Sequence, residues 1–168
     1  MLKILIIIFL LEKQFLQYEK TAYYLKQAKL RLPANLEQVE CGASRNLTKQ
    51  QVALLAEGRY LHQGENALIT GATELPGLRI RTPGLQGYKT VYLNMNRLIE
   101  KVTLSKLDGS YIKFLNHLER QTLVILDDFG QTPMTQEIRL TLLQLLEDRY
   151  SKKSIIITSQ LPVAKWYE

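Results

Sequence analysis

Four short strand-like runs alternate with amphipathic stretches along the chain from residue 67 onward. Three of them are apolar and predict buried β-strands: Ala67 to Thr70, Leu123 to Leu126 and Ile155 to Ile157. The fourth, Thr90 to Met95, is also predicted to form a strand. Between strands, apolar residues recur at helical spacing, as at Ile138, Leu142, Leu145 and Leu146. Apolar strands separated by such helices are typical of a parallel sheet covered on both faces, so we predict an α/β fold.

Local sequence signals mark where helices begin and end. Thr48 and Gln51 form a capping box, and the helix that they begin is predicted to end near Gly64. The remaining signals are a helix from about Arg97 to Ser105, a turn at Asp108-Gly109, and helix N-caps at Ser110 and Thr135.

Residues 1–46 are predicted to form a short helical N-terminal region. Met1 to Leu11 is apolar apart from Lys3 and is too short to cross a bilayer. No small-residue cleavage site follows it, so we expect a helix or strand buried in the core of a cytoplasmic protein with no membrane partner; a membrane or export role is the alternative. Lys13 to Arg31 is helical and basic with interleaved tyrosines, which fits either a DNA-contacting face or a solvated helix.

Composition narrows the chemistry only slightly. The 168 residues carry a formal net charge of +6, which is compatible with a polyanionic partner but not specific to one. A single cysteine, Cys41, excludes an internal disulfide and multi-cysteine metal sites. Only two histidines, His62 and His117, are present, so a histidine-based metal centre is not expected.

Polar clusters follow three of the predicted strands. They are Gly71-Ala72-Thr73, Asp127-Asp128 and Thr158-Ser159-Gln160. Ligands of parallel sheets bind beyond the carboxyl ends of the strands, where these clusters should meet. A strand that ends in two acids is typical of sites that hold Mg²⁺ beside a nucleotide phosphate, with the first acid on the ion and the second polarising water. A helix cap or turn is the alternative for such an acid pair.

The stretches VILDDFGQTPMT, LTLLQLLEDRYSKKS and IIITSQLPVAKWYE together resemble the IstB family of AAA+ ATPases. These proteins assist transposition in bacterial insertion sequences and are related to DnaC-type helicase loaders. The segments SRNLTKQQVALLAEGRYLHQGENALITGAT and QGYKTVYLNMNRLIEKV fit the same family, and the resemblance runs from roughly Leu25 to the last residue. It implies a P-loop NTPase (AAA+) parallel sheet with flanking helices over residues 47–168.

The resemblance also implies cofactors, partners and residue roles. The cofactors are ATP and Mg²⁺, and the partners are double-stranded DNA, the transposase of the same element and further copies of the chain. Asp127 and Asp128 match the Walker B acids, as catalytic residues and Mg²⁺ ligands, while Ser159 and Gln160 match a catalytic polar sensor. The residues implied to bind the nucleotide are Gly71, Ala72, Thr73, Gly77 and Thr158. Four cations are implied to face DNA, a neighbouring subunit or solvent: Arg139, Arg149, Lys152 and Lys153.

The phosphate-binding loop departs from the family. The pattern G-x-x-x-x-G-K-[ST] begins at Gly71, but Pro76 stands at the second glycine, Gly77 at the lysine and Leu78 at the hydroxyl position. Glu74 adds a negative charge where phosphates would bind. Residues 78–86 contain Pro83 and no amphipathic stripe, so the crossover helix expected after the loop is not predicted.

Both the loop and the C-terminus predict an incomplete AAA+ core. Residues 78–86 are shorter than the family's segment, and the family pattern is lost and then recovered abruptly at Gln86. This suggests a pair of reading-frame shifts, or a small deletion with one shift, within residues 74–86, and the chain ends soon after the sensor strand. We therefore expect an IstB-like transposition helper with an impaired nucleotide site, and ATP hydrolysis is left undecided. The alternatives are a DnaC-like helicase loader with a role in DNA replication, and a non-catalytic remnant of such a gene.

Overall fold

A computed structural model describes residues 41–42, 48–71 and 88–166 of the chain. The helical region predicted for residues 1–46 therefore lies outside the described residues, apart from residues 41–42. The elements in chain order are α1 (Lys49–Glu57), α2 (Arg59–Gln63), β1 (Ala67–Thr70), β2 (Thr90–Asn94), α3 (Met95–Leu107), α4 (Tyr111–Glu119), β3 (Leu123–Asp127), α5 (Gln136–Arg149), β4 (Ser154–Ser159) and a 3₁₀ helix (Val163–Lys165).

The four strands form one parallel sheet in the order β1-β4-β3-β2. Thr90 pairs with Leu123, and Leu123 in turn pairs with Ser154, so three strands begin level with one another. This confirms the parallel α/β sheet predicted from the apolar runs. Of the helices in the described ranges, none combines the length and apolarity that crossing a bilayer requires.

Alternate residues of each strand face opposite sides of the sheet and build two apolar clusters. On one face, strand residues such as Val124, Leu126 and Ile155 pack against the apolar sides of α3, α4 and α5. On the other face, Leu123, Ile125 and Ile156 pack with Leu61 of α2 and several tyrosines. Both faces of the central strands are therefore buried, which explains why β3 and β4 are apolar without alternation.

Helix boundaries agree with the sequence signals in part. The capping box at Thr48 and Gln51 is present, and Thr135 caps α5 through its side chain. The helix predicted to run to Gly64 is instead broken at Gly58, which takes a left-handed conformation (φ 68°) and separates α1 from α2.

Two further caps differ from expectation. The α3 helix begins at Met95, two residues early, because the side chain of Asn94 accepts the backbone N–H of Asn96. The Ser110 side chain makes no capping bond; its backbone N–H donates to Asp108 Oδ1. A hydrogen bond from the Ser110 side chain, together with this backbone bond, lowers the pKa of the exposed Asp108 carboxyl.

Arg149 corrects one prediction, because it does not face DNA, a subunit or solvent. It is 1% exposed, and its guanidinium donates to four backbone carbonyls, those of Leu118, Gln121, Thr122 and Ser154. Burial lowers its pKa to about 10, with Glu119 opposing the change, so it stays a cation at neutral pH. Arg139 and Lys152 are exposed, whereas the Lys153 ammonium donates to the Glu119 carbonyl.

Gly64, the residue after α2, lies close to the backbone of the turn after α5. Its φ is 66°, and an added Cβ would lie 2.6 Å from the carbonyl carbon of Ser151 and 2.7 Å from the Lys152 nitrogen. A side chain here would meet rigid backbone as well as left-handed strain, so this position requires glycine.

We expect Gly64→Ala to lower the free energy of unfolding by about 2 to 5 kcal/mol, because left-handed strain adds to overpacking. The control is Gly109→Ala: Gly109 has a similar φ of 74° but no described heavy atom within 4 Å of its added Cβ. It should lose only about 1 to 2 kcal/mol. Urea denaturation of both variants measures the difference, and equal losses would contradict the close approach.

Candidate functional site

The carboxyl ends of the four strands meet at one edge of the sheet and bring the predicted polar clusters together. Asp127 ends β3 and pairs in register with Asn94 at the end of β2. Thr70 pairs with Ser159 at the ends of β1 and β4, and the Gly71 N–H donates to the Ser159 carbonyl at 3.1 Å. The other predicted loop residues, Ala72, Thr73 and Gly77, lie outside the described residues.

Asp127 is held from both neighbouring strands. Its Oδ2 accepts the Tyr92 hydroxyl of β2 at 2.5 Å, and its Oδ1 accepts the Thr158 hydroxyl of β4. Asp127 and Thr158 stand two residues along their strands from Ile125 and Ile156, so they lie on the same face of the sheet as that apolar cluster. Tyr92 lies on this face as well, because it pairs with Ile125 and packs against the cluster. The carboxylate is therefore fixed in orientation before any ligand arrives.

Asp128 turns away from the strand direction. Its φ is 58°, a left-handed conformation that aspartate tolerates better than most residues. The carboxylate accepts amide N–H donors from Asn94, from Gln131 at 3.2 Å and from Gln160 at 3.5 Å. Each donor is neutral, so this acid is oriented by amides rather than paired with a cation.

The Ser159 hydroxyl bonds to protein groups in every direction available to it. It donates to the Phe129 carbonyl at 2.6 Å and accepts the N–H groups of Leu161 and Trp166, both at 3.1 Å. One donor and two lone pairs are thereby used. In this arrangement Ser159 joins the ends of β3 and β4, and its catalytic role stays a prediction.

Tyr92 and Asn94 are site residues that the sequence argument missed. Both lie within the run that predicts β2, and a strand prediction alone does not identify which of its residues belong to a site. The available signal was the alternation of side chains along a strand. Tyr92 lies on the face of the sheet that carries the Asp127 side chain, and Asn94 is the last residue of β2 as Asp127 is the last residue of β3. Gln131 carried no comparable signal, because it lies in an irregular loop.

The acid pair suits a magnesium ion, whereas the loop sequence does not suit the phosphates. Mg²⁺ takes oxygen ligands, usually one or two carboxylates together with water and phosphate. Asp127 and Asp128 provide the carboxylates; within the described ranges no cluster of three or more metal-binding side chains exists. The matching loop positions hold Pro76, Gly77 and Leu78 in place of a glycine, a lysine and a hydroxyl. The acid pair therefore has the chemistry of a Mg²⁺ site, while the loop sequence differs from the phosphate-binding pattern at three positions.

Solved structures share this fold at low sequence identity. The DnaC helicase loader superposes with a TM-score of 0.65 at 19% identity, covering 77% of this chain and 78% of that one. AMPPCP-bound DnaA from Aquifex aeolicus superposes with a TM-score of 0.67 at 19% identity, and the match covers 79% of this chain and 44% of the DnaA chain. These similarities confirm a P-loop NTPase fold of the AAA+ type.

Sequence relatives come from insertion sequences. The IS1162 ATP-binding protein of Pseudomonas fluorescens is 36% identical over 144 residues, and an insertion-sequence ATP-binding protein of Sinorhizobium fredii is 35% identical over 156 residues. These alignments cover 82% and 89% of this chain but only 62% and 63% of the relatives. Residues 3–168 match the profile of the IstB-like ATP binding protein family. The chain therefore belongs to the IstB-like ATP-binding protein family.

Proposed function

We propose that this chain is the ATP-binding helper of an insertion sequence, working beside the transposase of its element on double-stranded DNA, with a weakened nucleotide site. Its family and its two insertion-sequence relatives support the transposition role. A structural neighbour, DnaA, has been solved bound to AMPPCP and single-stranded DNA, which supports nucleotide and DNA as ligands of the shared fold.

The observation that carries the proposal is the acid pair at the end of β3. Asp127 is oriented by hydroxyls from both neighbouring strands, and Asp128 by three amides. Residues that served only as a turn or helix cap would not need donors from three separate segments. Held this way, Asp127 is arranged to bind Mg²⁺, and Asp128 to orient a water molecule in the polar edge.

Bound Mg²⁺ would neutralise charge on the β and γ phosphates of ATP. In this chain Thr158 fixes the Asp127 carboxylate, while Gln160 reaches Asp128 from the neighbouring strand end. Position 77 is a glycine, so the lysine that would pair with the phosphates is missing, and Glu74 adds a negative charge that would repel them. Both differences weaken phosphate binding. We therefore propose an impaired site that keeps its metal half.

A DnaC-like helicase loader is the second candidate, favoured by the DnaC structure, 78% of which superposes on 77% of this chain. The two candidates share the site and differ in partner, one a transposase and the other a replicative helicase. A non-catalytic remnant is the third reading, and the altered loop favours it.

Binding to labelled duplex DNA, followed by fluorescence anisotropy at several salt concentrations, tests the proposal. We expect saturable binding that weakens with salt, because phosphate contacts release counterions. Lys152→Gln should reduce the salt slope by about 1, since Lys152 is exposed in the basic turn after α5. The control is Lys106→Gln, which changes charge equally but removes an ammonium already paired with Glu137 at 2.6 Å.

Two outcomes contradict the proposal. The first is an absence of DNA binding at low salt by a chain that melts cooperatively. The second is co-purification with a replicative helicase and not with an insertion-sequence transposase, which would favour the loader.

A further inference from the structure

The Trp166 indole lies across the ends of β3 and β4. Its Nε1 donates to Ser159 Oγ at 3.1 Å and to the Leu161 carbonyl at 3.3 Å. Its ring packs on Phe129 with centroids 4.6 Å apart and planes tilted by 55°. The only tryptophan of the chain thus contacts the residues that follow both the acid pair and the sensor strand.

Gly130 allows the indole to come this close. Its φ is 80°, and an added Cβ would lie 3.1 Å from Trp166 Cδ1. A β-carbon here would push the ring outward in addition to straining the backbone. The β3–α5 loop is therefore shaped to receive an aromatic ring at this point.

A short series of hydrogen bonds leads from the indole to the acids. Ser159 Oγ, which accepts the indole N–H, donates to the Phe129 carbonyl at 2.6 Å. The Phe129 N–H donates to the Thr158 carbonyl at 2.9 Å, and the Thr158 hydroxyl donates to Asp127. Both polar groups of the Phe129 backbone, directly after Asp128, are thus held to β4.

We propose that Trp166 is a positioning residue for the acid pair. Its N–H fixes the Ser159 hydroxyl so that the proton of that hydroxyl points at the Phe129 carbonyl, and its ring holds the loop against β4. The loop then keeps the Asp128 backbone in its left-handed conformation, directly after Asp127 at the end of β3. This inference rests on the proposed function in one respect, namely that the acid pair binds a divalent cation.

The test is binding of Mn²⁺ alone to the full chain, followed by electron paramagnetic resonance. Trp166→Phe keeps an aromatic ring against Phe129 but removes the N–H donor. We expect Mn²⁺ to bind about 2- to 10-fold more weakly, as loss of one hydrogen bond implies. Ser159→Ala should weaken it similarly, and the double variant should weaken it no further, because both changes break one series. The matched control is Val163→Ala, from the adjacent 3₁₀ helix.

Hydrogen exchange at the Phe129 amide is the second readout. It should accelerate in Trp166→Phe while amides within α3 exchange at their wild-type rates. A purely structural role for Trp166 would lower the melting temperature without changing Mn²⁺ affinity, and that result overturns the inference. If Asp127→Asn abolishes Mn²⁺ binding but Trp166→Phe binds as wild type, only the inference fails. If the wild-type chain binds no Mn²⁺, the metal half of the proposed function fails as well.

Discussion

Replacing Arg149 with methionine is expected to remove at least about 3 kcal/mol from the free energy of unfolding. The guanidinium donates to four carbonyls in a region without solvent access, and one hydrogen bond to a charged group contributes about 1.5 to 3 kcal/mol. The carbonyls of Leu118 and Thr122 also accept a backbone N–H, so the loss should stay below the sum of four such bonds. Methionine fills similar volume without donors, so the loss reports the hydrogen bonds. Arg149 Nε has no hydrogen-bond partner among the described residues, so the contribution comes from the two terminal nitrogens.

The location of these carbonyls explains the size of the effect. They belong to the end of α4, the turn before β3 and the first residue of β4, all at the amino ends of the strands. One side chain at the end of α5 thus joins the stretch between α4 and β3, which lies 27 to 31 residues away in sequence, to the start of β4, which lies five residues away. A positive charge at a helix C-terminus is further stabilised by the helix dipole.

Urea denaturation of two further variants completes this experiment. Arg139→Met changes an exposed arginine on the same helix and should alter the free energy of unfolding by less than about 0.5 kcal/mol. Arg149→Lys keeps the charge but cannot reach all four carbonyls, so it should resemble Arg149→Met. If Arg149→Met were as mild as Arg139→Met, the described role of Arg149 would be wrong.

The second large effect is a gain of nucleotide binding when the loop is repaired. We expect the triple variant Pro76→Gly, Gly77→Lys, Leu78→Thr to bind ATP with Mg²⁺ at least about 10-fold more tightly than the wild-type chain. One charge-assisted hydrogen bond contributes about 1.5 to 3 kcal/mol, and the new lysine supplies at least one. Isothermal titration calorimetry measures the change.

A matched variant separates the lysine from the rest of the loop. Pro76→Gly, Gly77→Gln, Leu78→Thr introduces the same glycine and hydroxyl without the cation, and it should gain much less affinity. Adding Asp127→Asn to the repaired chain should reverse the gain if the acid pair supplies the other half of the site. Equal affinities of the two triple variants would show that the missing lysine is not the cause.

The sheet was predictable from sequence because strands buried on both faces consist of continuous runs of apolar residues. The runs at β3 and β4 are apolar on both faces, as strands of a sheet covered on both sides require, and both faces are buried. The acid pair was predictable for the same reason, since polar residues directly after such a strand must lie at its carboxyl end. These inferences need only the local sequence and the rule that ligands of parallel sheets bind beyond the carboxyl ends of the strands. The prediction that β1 is buried was wrong for one face, because Leu68 is 50% exposed and Thr70 is exposed at this edge strand.

Other features depend on contacts that local sequence does not contain. Arg149 has the same local pattern as an exposed helix arginine, and only the tertiary fold brings four carbonyls around it. The roles of Tyr92 and Asn94 depend on the register of β2 against β3. The break at Gly58 shows the same limit, because a glycine inside a helical pattern either is tolerated or ends a helix.

We propose, as the central claim, that this chain keeps the metal-binding half of an AAA+ nucleotide site and that its loop sequence lacks the phosphate-binding residues. The most direct test uses two measurements on one preparation of the wild-type chain. One is a calorimetric titration with ATP and Mg²⁺, and the other is Mn²⁺ binding. We predict Mn²⁺ binding that Asp127→Asn abolishes, with no saturable ATP binding below about 1 mM, since lost charged contacts cost several kcal/mol. Micromolar ATP binding that Asp127→Asn weakens would contradict the claim.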